Sequence, residues 1–262
     1  MPIKFALFYG CNRLTSVSLP DTLYAINSNA FYGCSHLTDI QIPEGTEFLS
    51  GSAFRNCNAL RTLQFPASLT NCENVSYLYA CNGLENFVVD ADNPSYASVD
   101  GILYNKKKSS LLVVPSAWNQ TVLTVPETVT QIASEAMDNN QKVQKVILPA
   151  GLTRIDSYSF YNCRSLKTMI FLGNAPSLYS TSCLGTNDLH IYAHLSSSSD
   201  WDSLKKSMDN SSYHVNWHDL DTFDNTLKLT AESTTLHVGE NASVTAFLNP
   251  LLADDITWES SD

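Results

Sequence analysis

Apolar residues return along the chain with a step of 23 residues, so the sequence is built from repeats. Each unit carries an aromatic residue, a cysteine three positions later and then alternating apolar positions, as in F-x-x-C-x-x-L-x-x-I-x-I. The alternating end of the unit predicts a short strand that buries one of its faces. Since a single unit cannot bury that face alone, the units are expected to stack as parallel strands around a continuous core. The hydrophobic pattern therefore predicts a β-rich solenoid.

Three positions of the repeat define the expected core and the ends of the strands. The cysteine position is occupied by Cys11, Cys34, Cys57, Cys81, Asn140 and Cys163. The apolar residue three positions later is expected to form one stacked row of Leu14, Leu37, Leu60, Leu84, Val143 and Leu166. Proline closes the strands at Pro20, Pro43, Pro66, Pro126 and Pro149, and Pro115 closes a further strand over residues 111–114.

One unit is interrupted near residues 90–110. Asp100-Gly101 separates two alternating apolar runs there, and this dipeptide predicts a two-residue β-hairpin turn. The surrounding sequence reads N-x-x-Y-x-S-x-D-G-x-L-Y from Asn93 to Tyr104. Together with the repeat, this segment resembles the BspA-like leucine-rich repeats of bacterial surface proteins, and the resemblance covers residues 7–175.

The resemblance implies a fold and a class of function. Residues 171–176 are similar to the last repeat of that family, and Ile191-Tyr192 followed by residues 201–204 is similar to its closing strand and short helix. The family implies a right-handed leucine-rich-repeat coil that is exposed at the cell surface. It also implies a role in adhesion or in binding a host protein, without naming one ligand.

The 23-residue period ends near Asp219, where a second pattern begins. The landmarks L-x-V-G-E, Pro and W-x-S-S follow in that order and resemble the start of a bacterial Ig-like domain of group two. Such a sandwich needs about seven strands and about 100 residues, so the tail is expected to be an incomplete Ig-like β-sandwich. The expected domains are the solenoid over residues 1–175, a terminal repeat and cap over residues 176–218, and the truncated Ig-like domain over residues 219–262.

Charge and composition argue against several classes of partner. Hydrophobic residues make up 44% of the chain, which is enough for a sizeable core, while the net charge of −11 opposes binding to nucleic acid or to anionic membranes. No apolar run reaches the ~18 residues of a membrane span, so no membrane insertion is expected within these residues. The chain enters its first repeat near Phe8 without a leader. We therefore expect an extracellular or cell-surface protein whose export signal lies outside these residues.

No catalytic or cofactor-binding motif stands out, so neither an enzyme nor a bound cofactor is expected. Seven cysteines suggest disulfides or a metal site, but five of them recur at one inward repeat position, and Cys72 stands where other units have an apolar residue. A ladder of buried reduced thiols is favoured, with a disulfide or a metal site as the alternatives. Cys183 lies outside this ladder.

Histidines and carboxylates near the end of the solenoid are candidate metal ligands. Two pairs have the H-x-x-x-H spacing, His190/His194 and His214/His218. That spacing suits zinc on a helix, but both pairs lie in strand-like sequence, where four residues span about 13 Å and cannot share one ion. Three carboxylates could hold calcium at the domain boundary, namely Asp219, Asp221 and Asp224. Because no glycine-turned loop accompanies them, a solvated acidic linker is the alternative interpretation.

A partner is expected on the outward side chains of the strands, because these are the exposed residues of a solenoid. The alternation places fourteen residues on this strand face: Asp39, Gln41, Thr62, Gln64, Asn86, Val88, Leu111, Val113, Val122, Thr124, Lys145, Ile147, Thr168 and Ile170. The face is polar in the early units and turns apolar at Val88, Leu111, Val113, Val122, Ile147 and Ile170. These apolar residues indicate either the β propensity of a sheet surface or a binding patch.

Two functions follow from this surface. The leading hypothesis is a binding and adhesion scaffold that presents its strand face to a host or bacterial surface protein. The alternative is a carbohydrate-binding surface module associated with glycan capture, with sugars stacked on aromatic rings at the corners of the units. The candidate rings are Tyr32, Tyr79 and Tyr161, which could equally pack between coils.

Overall fold

The computed structural model describes residues 1–179, 188–197, 200–208, 215–222, 228–231 and 244–247. Its strands, in chain order, are β1 (Pro2–Ile3), β2 (Ser16–Val17), β3 (Ala25–Ile26), β4 (Asp39–Ile40), β5 (Phe48–Ser50), β6 (Thr62–Phe65), β7 (Asn71–Glu73), β8 (Asn86–Val89), β9 (Tyr96–Val99), β10 (Ile102–Asn105), β11 (Ser110–Val113), β12 (Val122–Thr124), β13 (Gln131–Ile132), β14 (Lys145–Leu148), β15 (Arg154–Ile155), β16 (Thr168–Phe171), β17 (Ser177–Leu178), β18 (Leu189–Ala193), β19 (Val215–Asp219), β20 (Lys228–Ala231) and β21 (Val244–Phe247). The α-helix α1 spans Asp200–Met208, and short 3-10 helices span Gly51–Phe54, Val75–Ala80, Leu195–Ser197 and Leu220–Thr222.

The strands form two rows, because each regular coil contributes one strand to each row. The front row consists of the sheets β2–β4, β6–β8 and β12–β14–β16–β18–β19. The back row consists of β1–β3–β5–β7 and β11–β13–β15–β17, and the hairpin β9–β10 is joined to the edge of β11. Pairing within both rows is parallel, which confirms the predicted solenoid of short parallel strands.

The register of the strands follows the repeat. Val17 lies opposite Ile40, and Val146 lies opposite Met169, so partners are 23 residues apart and point their side chains the same way. The predicted apolar row is confirmed, since each of these residues is at most 1% exposed: Leu37, Leu60, Leu84, Val143 and Leu166. Leu14 is only half-buried, because it lies in the first of the described coils and is packed from one side.

A left-handed residue makes the corner before each regular cysteine position. It has φ between 54° and 74° in five coils, at Gly10, Gly33, Asn56, Asn139 and Asn162. Glycine and asparagine adopt this region at the lowest cost, which explains their recurrence in the sequence. The corner then bonds to the next coil, as the Gly33 N–H does to the Arg55 carbonyl at 2.9 Å.

The hairpin turn lies where the sequence predicts it. Asp100 and Gly101 both have positive φ (50° and 79°), as a type I′ turn requires, and β9 pairs antiparallel with β10. The turn packs closely on β8, where the Phe87 N–H donates to the Gly101 carbonyl at 2.8 Å. A Cβ at Gly101 would come within 2.6 Å of the Asn86 Oδ1 atom, so glycine is needed here for close approach as well as for its φ.

The strand that follows the hairpin belongs to the back row. The sequence places Leu111 and Val113 on the exposed strand face, and this prediction is wrong. The strand β11 pairs with β13 in the back row, and both side chains are fully buried. Front-row and back-row strands alternate along the chain, so β11 is the back-row strand that follows the front-row strand β8, with the hairpin inserted between them.

The hairpin divides the hydrophobic core into two clusters. One cluster runs from Ile3 to Phe87 and takes Leu103 and Val113 from the inserted region. The other cluster runs onward to Met208 and takes Ile102, Tyr104 and Leu111 from the same region. We refer to β1–β8 as the first half of the solenoid and to β11–β19 as the second half.

The end of the solenoid is covered by α1. Trp201 on this helix is fully buried, and its ring contacts Phe171 at 5.3 Å and Trp217 at 6.2 Å between centroids. The closing strand and short helix implied by the resemblance are therefore present as β18 and α1. No helix among the described residues has the length and apolar character needed to cross a bilayer.

The described part of the tail is a pair of strands. The strands β20 and β21 pair antiparallel, with Lys228 opposite Phe247. The landmarks L-x-V-G-E, Pro and W-x-S-S, which begin at residues 236, 250 and 258, lie outside the described residues. One pair of strands does not define a sandwich, so the incomplete Ig-like domain stays a prediction.

Candidate interaction surface

The outward side chains of the front row form two parallel files. In the first half, these side chains are polar and mostly exposed. One file contains Asp39, Thr62 and Asn86, and the other contains Gln41, Gln64 and Val88. Thr62 is half-buried and the other five are exposed. The sequence therefore places this part of the strand face correctly.

In the second half, the same files become more apolar and less exposed. Cross-strand pairing aligns Thr124, Ile147, Ile170, Tyr192 and His218 in one file and Val122, Lys145, Thr168, His190 and Asn216 in the other. Ile170 is fully buried, so its predicted exposure is wrong. Its flanking partners in the register are Ile147 and Tyr192, and side chains this close on one sheet face cover each other.

The exposed apolar patch suggested by the sequence is not formed as predicted. Three of its six residues are buried, namely Leu111, Val113 and Ile170. Val122 and Ile147 are half-buried, and only Val88 is an exposed large apolar side chain, at 49%. The strand face is therefore a mainly polar surface, with half-buried apolar positions in its second half.

A cleft of about 510 Å³ interrupts the front row between β8 and β12. Its walls come from Glu85 and Asn86 before and within β8, from the hairpin, from the loop before β12, and from β12 itself. The indole N–H of Trp118 donates to the Asp100 carbonyl at 2.8 Å and ties this loop to the hairpin turn. The repeat pattern does not predict this cleft, because it arises where the inserted hairpin separates the consecutive front-row strands β8 and β12.

The cleft exposes an unpaired strand edge. β12 pairs only with β14 among the described strands and lies at the edge of its sheet. Towards β14, the Val125 N–H donates to the Ile147 carbonyl and the Thr121 carbonyl accepts from the Lys145 N–H. Because backbone groups alternate along a strand, the N–H and C=O groups of Val122 and Thr124 point the other way, into the cleft.

The rim of the cleft is acidic. Glu85 and Asp100 are both exposed there, and none of the described residues that line the cleft is lysine or arginine. Arg61 stands outside the lining, with its Nε atom 3.7 Å from the Glu85 carboxylate. Such an exposed contact leaves most of the negative charge available to a ligand.

The cysteines form a ladder of thiols that bond between coils. The Sγ–H group of each donates to the carbonyl at the aromatic position of the preceding coil: Cys34 to Phe8 at 3.1 Å, Cys57 to Phe31 at 3.1 Å, Cys81 to Phe54 at 2.7 Å and Cys163 to Met137 at 3.0 Å. All four are buried free thiols, as is Cys72, which supports the buried ladder over disulfides for the described cysteines. Cys183 lies outside the described residues.

Cys11 departs from this ladder. It is exposed, so the prediction that it is buried is wrong. It belongs to the first of the described coils, and its sulfur is not covered by another described coil. Burial raises the pKa of Cys34 to about 11 and that of Cys81 to about 12, so these thiols are inert rather than nucleophilic.

The pairing of β18 with β19 brings together side chains that are distant in the sequence. The Nδ1 atom of His190 lies 2.9 Å from the Nε2 atom of His218, whose ring also stacks on Tyr192 at 4.5 Å between centroids. Burial, and secondly the adjacent His190, lower the pKa of His218. The H-x-x-x-H spacing does not reveal this pair, which depends on the strand register.

The acidic residues at this boundary accept hydrogen bonds from the protein. Asp221 accepts from Ser196 Oγ at 2.6 Å and lies 2.7 Å from His194 Nδ1, and these two contacts lower its pKa. Asp219 accepts from the backbone N–H groups of Leu195 and Asp221. Within the described residues, no group of three or more His, Cys, Asp or Glu side chains could hold a metal ion. Asp224 and His214 lie outside those residues.

Two of the three tyrosines proposed as sugar platforms, Tyr32 and Tyr161, pack on other rings. Tyr32 is half-buried and stacks flat on Tyr9, with centroids 4.8 Å apart and an interplanar angle of 3°. Tyr161 is exposed and meets Tyr158 edge to face at 5.5 Å. The side chain of Tyr79 lies outside the described set. Packing between coils therefore accounts for Tyr32, whose face is already occupied.

Comparison with known proteins agrees with this architecture. The sequence pattern described as BspA type Leucine rich repeat region matches the chain in six copies, over residues 2–99 and 116–200. The matched residues make up more than half of the chain, and the gap between them contains the hairpin turn and β11. No curated protein matches the chain at a significant level.

Two solved structures are similar to this fold. The pneumococcal vaccine antigen PcpA is 20% identical, with a TM-score of 0.54 and coverage of 79% of this chain and 68% of that one. A leucine-rich repeat protein from Eubacterium ventriosum is 21% identical, with a TM-score of 0.54 and coverage of 73% of this chain and 63% of that one. This chain thus spans about two thirds of the length of either structure, and identities this low establish the fold alone.

Proposed function

The chain belongs to the BspA-type leucine-rich-repeat family, and from this we propose that it is a cell-surface scaffold that binds a protein partner on its strand face. The observation that carries the proposal is the outward side of the front row, where Asp39, Gln41, Gln64, Asn86 and Val88 present an exposed surface on rigid strands. Solenoids characteristically bind through such a surface. The partner is a host or bacterial surface protein, and the chain acts by binding rather than by catalysis.

The proposal extends to location and organisation. One structural relative is a pneumococcal vaccine antigen, which supports an extracellular or cell-surface location here. Residues 1–175 form the binding solenoid, residues 176–218 its terminal repeat and cap, and residues 219–262 the start of an Ig-like domain. The burial of Trp201 beneath α1 supports a cap at that boundary.

A paired set of variants tests the strand face. The double variant Gln41→Arg, Gln64→Arg adds two charges to one file of the first half, where both side chains are exposed. Thr70→Arg with Asn71→Arg adds the same charge on the back row, at two other exposed positions. Binding is measured on an array of purified secreted and surface proteins. We expect the front-row variant to lose at least tenfold in affinity and the back-row variant to bind as the wild type does.

Equal binding by both double variants, or no wild-type signal on the array, would contradict the proposal. Thermal melts of both variants check that each remains folded. The second candidate function, glycan capture, is supported by the exposed Tyr161 and by the amide-rich lining of the cleft. A glycan array probed with the wild type and with Tyr161→Ala tests it, and carbohydrate binding lost in that variant would favour the second function.

A further inference from the structure

We propose that the cleft between β8 and β12 binds an extended peptide segment with a basic side chain, and that this segment pairs with β12 as an added strand. The inference rests on the proposed protein-binding function and narrows its partner to a protein with such a segment. It differs from a general strand-face contact because it assigns the backbone of β12, rather than outward side chains, as the principal recognition element.

The backbone of β12 is prepared for a further strand. On its other side, β12 forms a parallel ladder with β14, in which Leu123 lies opposite Val146. At the free edge of β12, Val122 and Thr124 provide two N–H donors and two C=O acceptors in the same geometry. Extended peptides bind exposed sheet edges in this way, with affinity from main-chain hydrogen bonds and selectivity from alternate side-chain pockets.

On the opposite wall of the cleft, the backbone N–H groups of β8 already have hydrogen-bond partners. The N–H groups of β8 that face the hairpin are bonded, from Phe87 to the Gly101 carbonyl and from Val89 to Ser98 Oγ. Trp118 is buried and held by its bond to the Asp100 carbonyl. The free edge of β12 is therefore the side of the cleft that can accept a strand, and the fixed wall opposite limits how a ligand can be placed.

The dimensions of the cleft match a short extended segment. A volume of about 510 Å³ lies within the range of roughly 300–1,000 Å³ found for ligand pockets. The three residues of β12 extend about 10 Å at roughly 3.3 Å per residue. A bound segment would thus pair over about three residues, with its flanking residues outside the cleft.

Charge selects a basic side chain on that segment. Glu85 and Asp100 lie on the rim, and none of the described lining residues carries a compensating Lys or Arg side chain. The net charge of the whole chain, −11, also favours the approach of a cationic segment. A glycan could use the amides of Asn86, Asn119 and Gln120 but does not have the regularly spaced N–H and C=O groups that continue a strand ladder, so the observations favour a peptide.

The test uses a phage-displayed library of random nonapeptides selected on the whole chain. Enriched sequences are synthesised as fluorescent peptides, and their affinities are measured by fluorescence anisotropy. We expect enriched peptides to contain Lys or Arg within an extended, β-branched sequence. Methylating the backbone nitrogens of one alternate set of residues should weaken binding at least tenfold, while methylating the other set should not, because only one edge of an added strand faces β12.

Variants of the protein provide the matching half of the test. Thr124→Pro removes one N–H group from the free edge of β12 without removing a bond to β14, and should weaken peptide binding at least tenfold. Ser18→Pro makes the same change at the equivalent repeat position, directly after β2 and far from the cleft, and should leave binding unchanged. Asp100→Asn keeps a residue that suits the type I′ turn and should weaken binding of basic peptides about fivefold, with a smaller salt dependence.

Equal binding by Thr124→Pro and the wild type, insensitivity to both methylation patterns, or no enriched peptide would each overturn the inference. If Thr124→Pro does not melt like the wild type, the methylated peptides decide the question alone. Carbohydrate binding on a glycan array that is lost in Asp100→Asn, without peptide selection, would assign the cleft to sugars and also overturn the inference. If the Gln41→Arg, Gln64→Arg variant loses its array partner while no peptide is selected, the proposed function stands and only the strand addition fails.

Discussion

The repeat position that holds buried thiols in the first half of the solenoid holds an amide in the second half at its first occurrence after the hairpin. In the first half, the position holds thiols, and Cys57 donates to the Phe31 carbonyl of the preceding coil at 3.1 Å. In the second half, Asn140 holds it and donates to the Pro115 carbonyl at 3.2 Å. Its Oδ1 atom also accepts from the backbone N–H groups of Lys142 and Val143, at 2.9 and 3.0 Å.

This difference reflects where the preceding coil presents the carbonyl that accepts the hydrogen bond. A thiol is a weak donor that suffices where the coil before it is regular and presents a carbonyl at the aromatic position. Before Asn140, the loop that follows β11 replaces that corner, and the acceptor lies on Pro115 instead. The longer side chain of Asn140 reaches this carbonyl, and its Oδ1 atom also accepts from the N–H groups of its own turn. Where the repeat returns to normal, the thiol returns as Cys163, which donates to the Met137 carbonyl at 3.0 Å.

The largest effect is expected from removing the amide. Asn140→Ala leaves the Pro115 carbonyl and the N–H groups of Lys142 and Val143 without their partner in a buried site, and should cost about 3 kcal/mol of stability. Cys57→Ala and Cys163→Ala each remove one weak bond and one sulfur atom, and should cost about 1 kcal/mol. Urea unfolding of the three variants measures the difference. Equal losses of stability would mean that the amide and the thiol contribute equally at this repeat position and would contradict the difference between the two halves.

The second effect concerns the reactivity of the thiols. Raising the pKa of Cys34 from 9.0 to about 11 lowers its thiolate fraction about 100-fold at pH 8, and burial restricts access further. We expect a maleimide reagent to modify Cys11 at least 100-fold faster than Cys34 or Cys81 in the folded chain, with all three modified after unfolding. Peptide-resolved mass spectrometry follows each site. Fast modification of Cys34, or its recovery in a disulfide-linked peptide, would show that the thiols of the ladder are not buried and reduced in the folded chain.

A smaller effect is expected at the second residue of the corner, where the first half has Tyr32 and the second half has Asp138. Burial, and secondly the nearby Glu135, raise the pKa of Asp138 from 3.8 to about 6. The folded state therefore binds a proton that the unfolded state releases, so the contribution of this group to stability is present below pH 3.8 and is lost as the pH rises through 6.

Replacing this carboxyl with a neutral amide should remove that loss. We expect Asp138→Asn to raise stability by about 1 kcal/mol at pH 7.5 and to have little effect at pH 4. Denaturant unfolding at the two pH values measures it, and Tyr32→Phe in the first half serves as a control without a titrating carboxyl. A gain that is the same at both pH values would show that the carboxyl charge is not its cause.

The smallest effect is expected at the end of the second half. The pKa of His218 is lowered by burial and by His190, so its contribution to stability is present above the ordinary value of 6.5 and is lost as the pH falls below it. His218→Phe keeps a ring against Tyr192 but cannot be protonated. It should melt like the wild type at pH 8 and lose less stability than the wild type between pH 7 and pH 5, as followed by circular dichroism. An unchanged pH profile would exclude this histidine as the titrating group.

Much of the fold could be predicted because it depends on local pattern. The apolar row through Leu60 and Val143, the hairpin turn at Asp100-Gly101 and the inward cysteines all follow from the repeat and from turn chemistry. The candidate site was predicted only in part. Gln41 and Gln64 are exposed on the front row as expected, while the predicted apolar patch was largely wrong because its residues are covered by neighbours.

The sequence by itself determined the step, the buried face of each strand and the residue types at the corners, because each of these is set within one unit by side-chain alternation and backbone preference. Tertiary structure decided the row of β11, the burial of Ile170 between Ile147 and Tyr192, and the contact of His190 with His218. It also created the cleft beside β12. These features depend on which strands become neighbours when the coils stack. The hairpin separates β8 from β12 without changing the alternation of apolar and polar residues on either side of it.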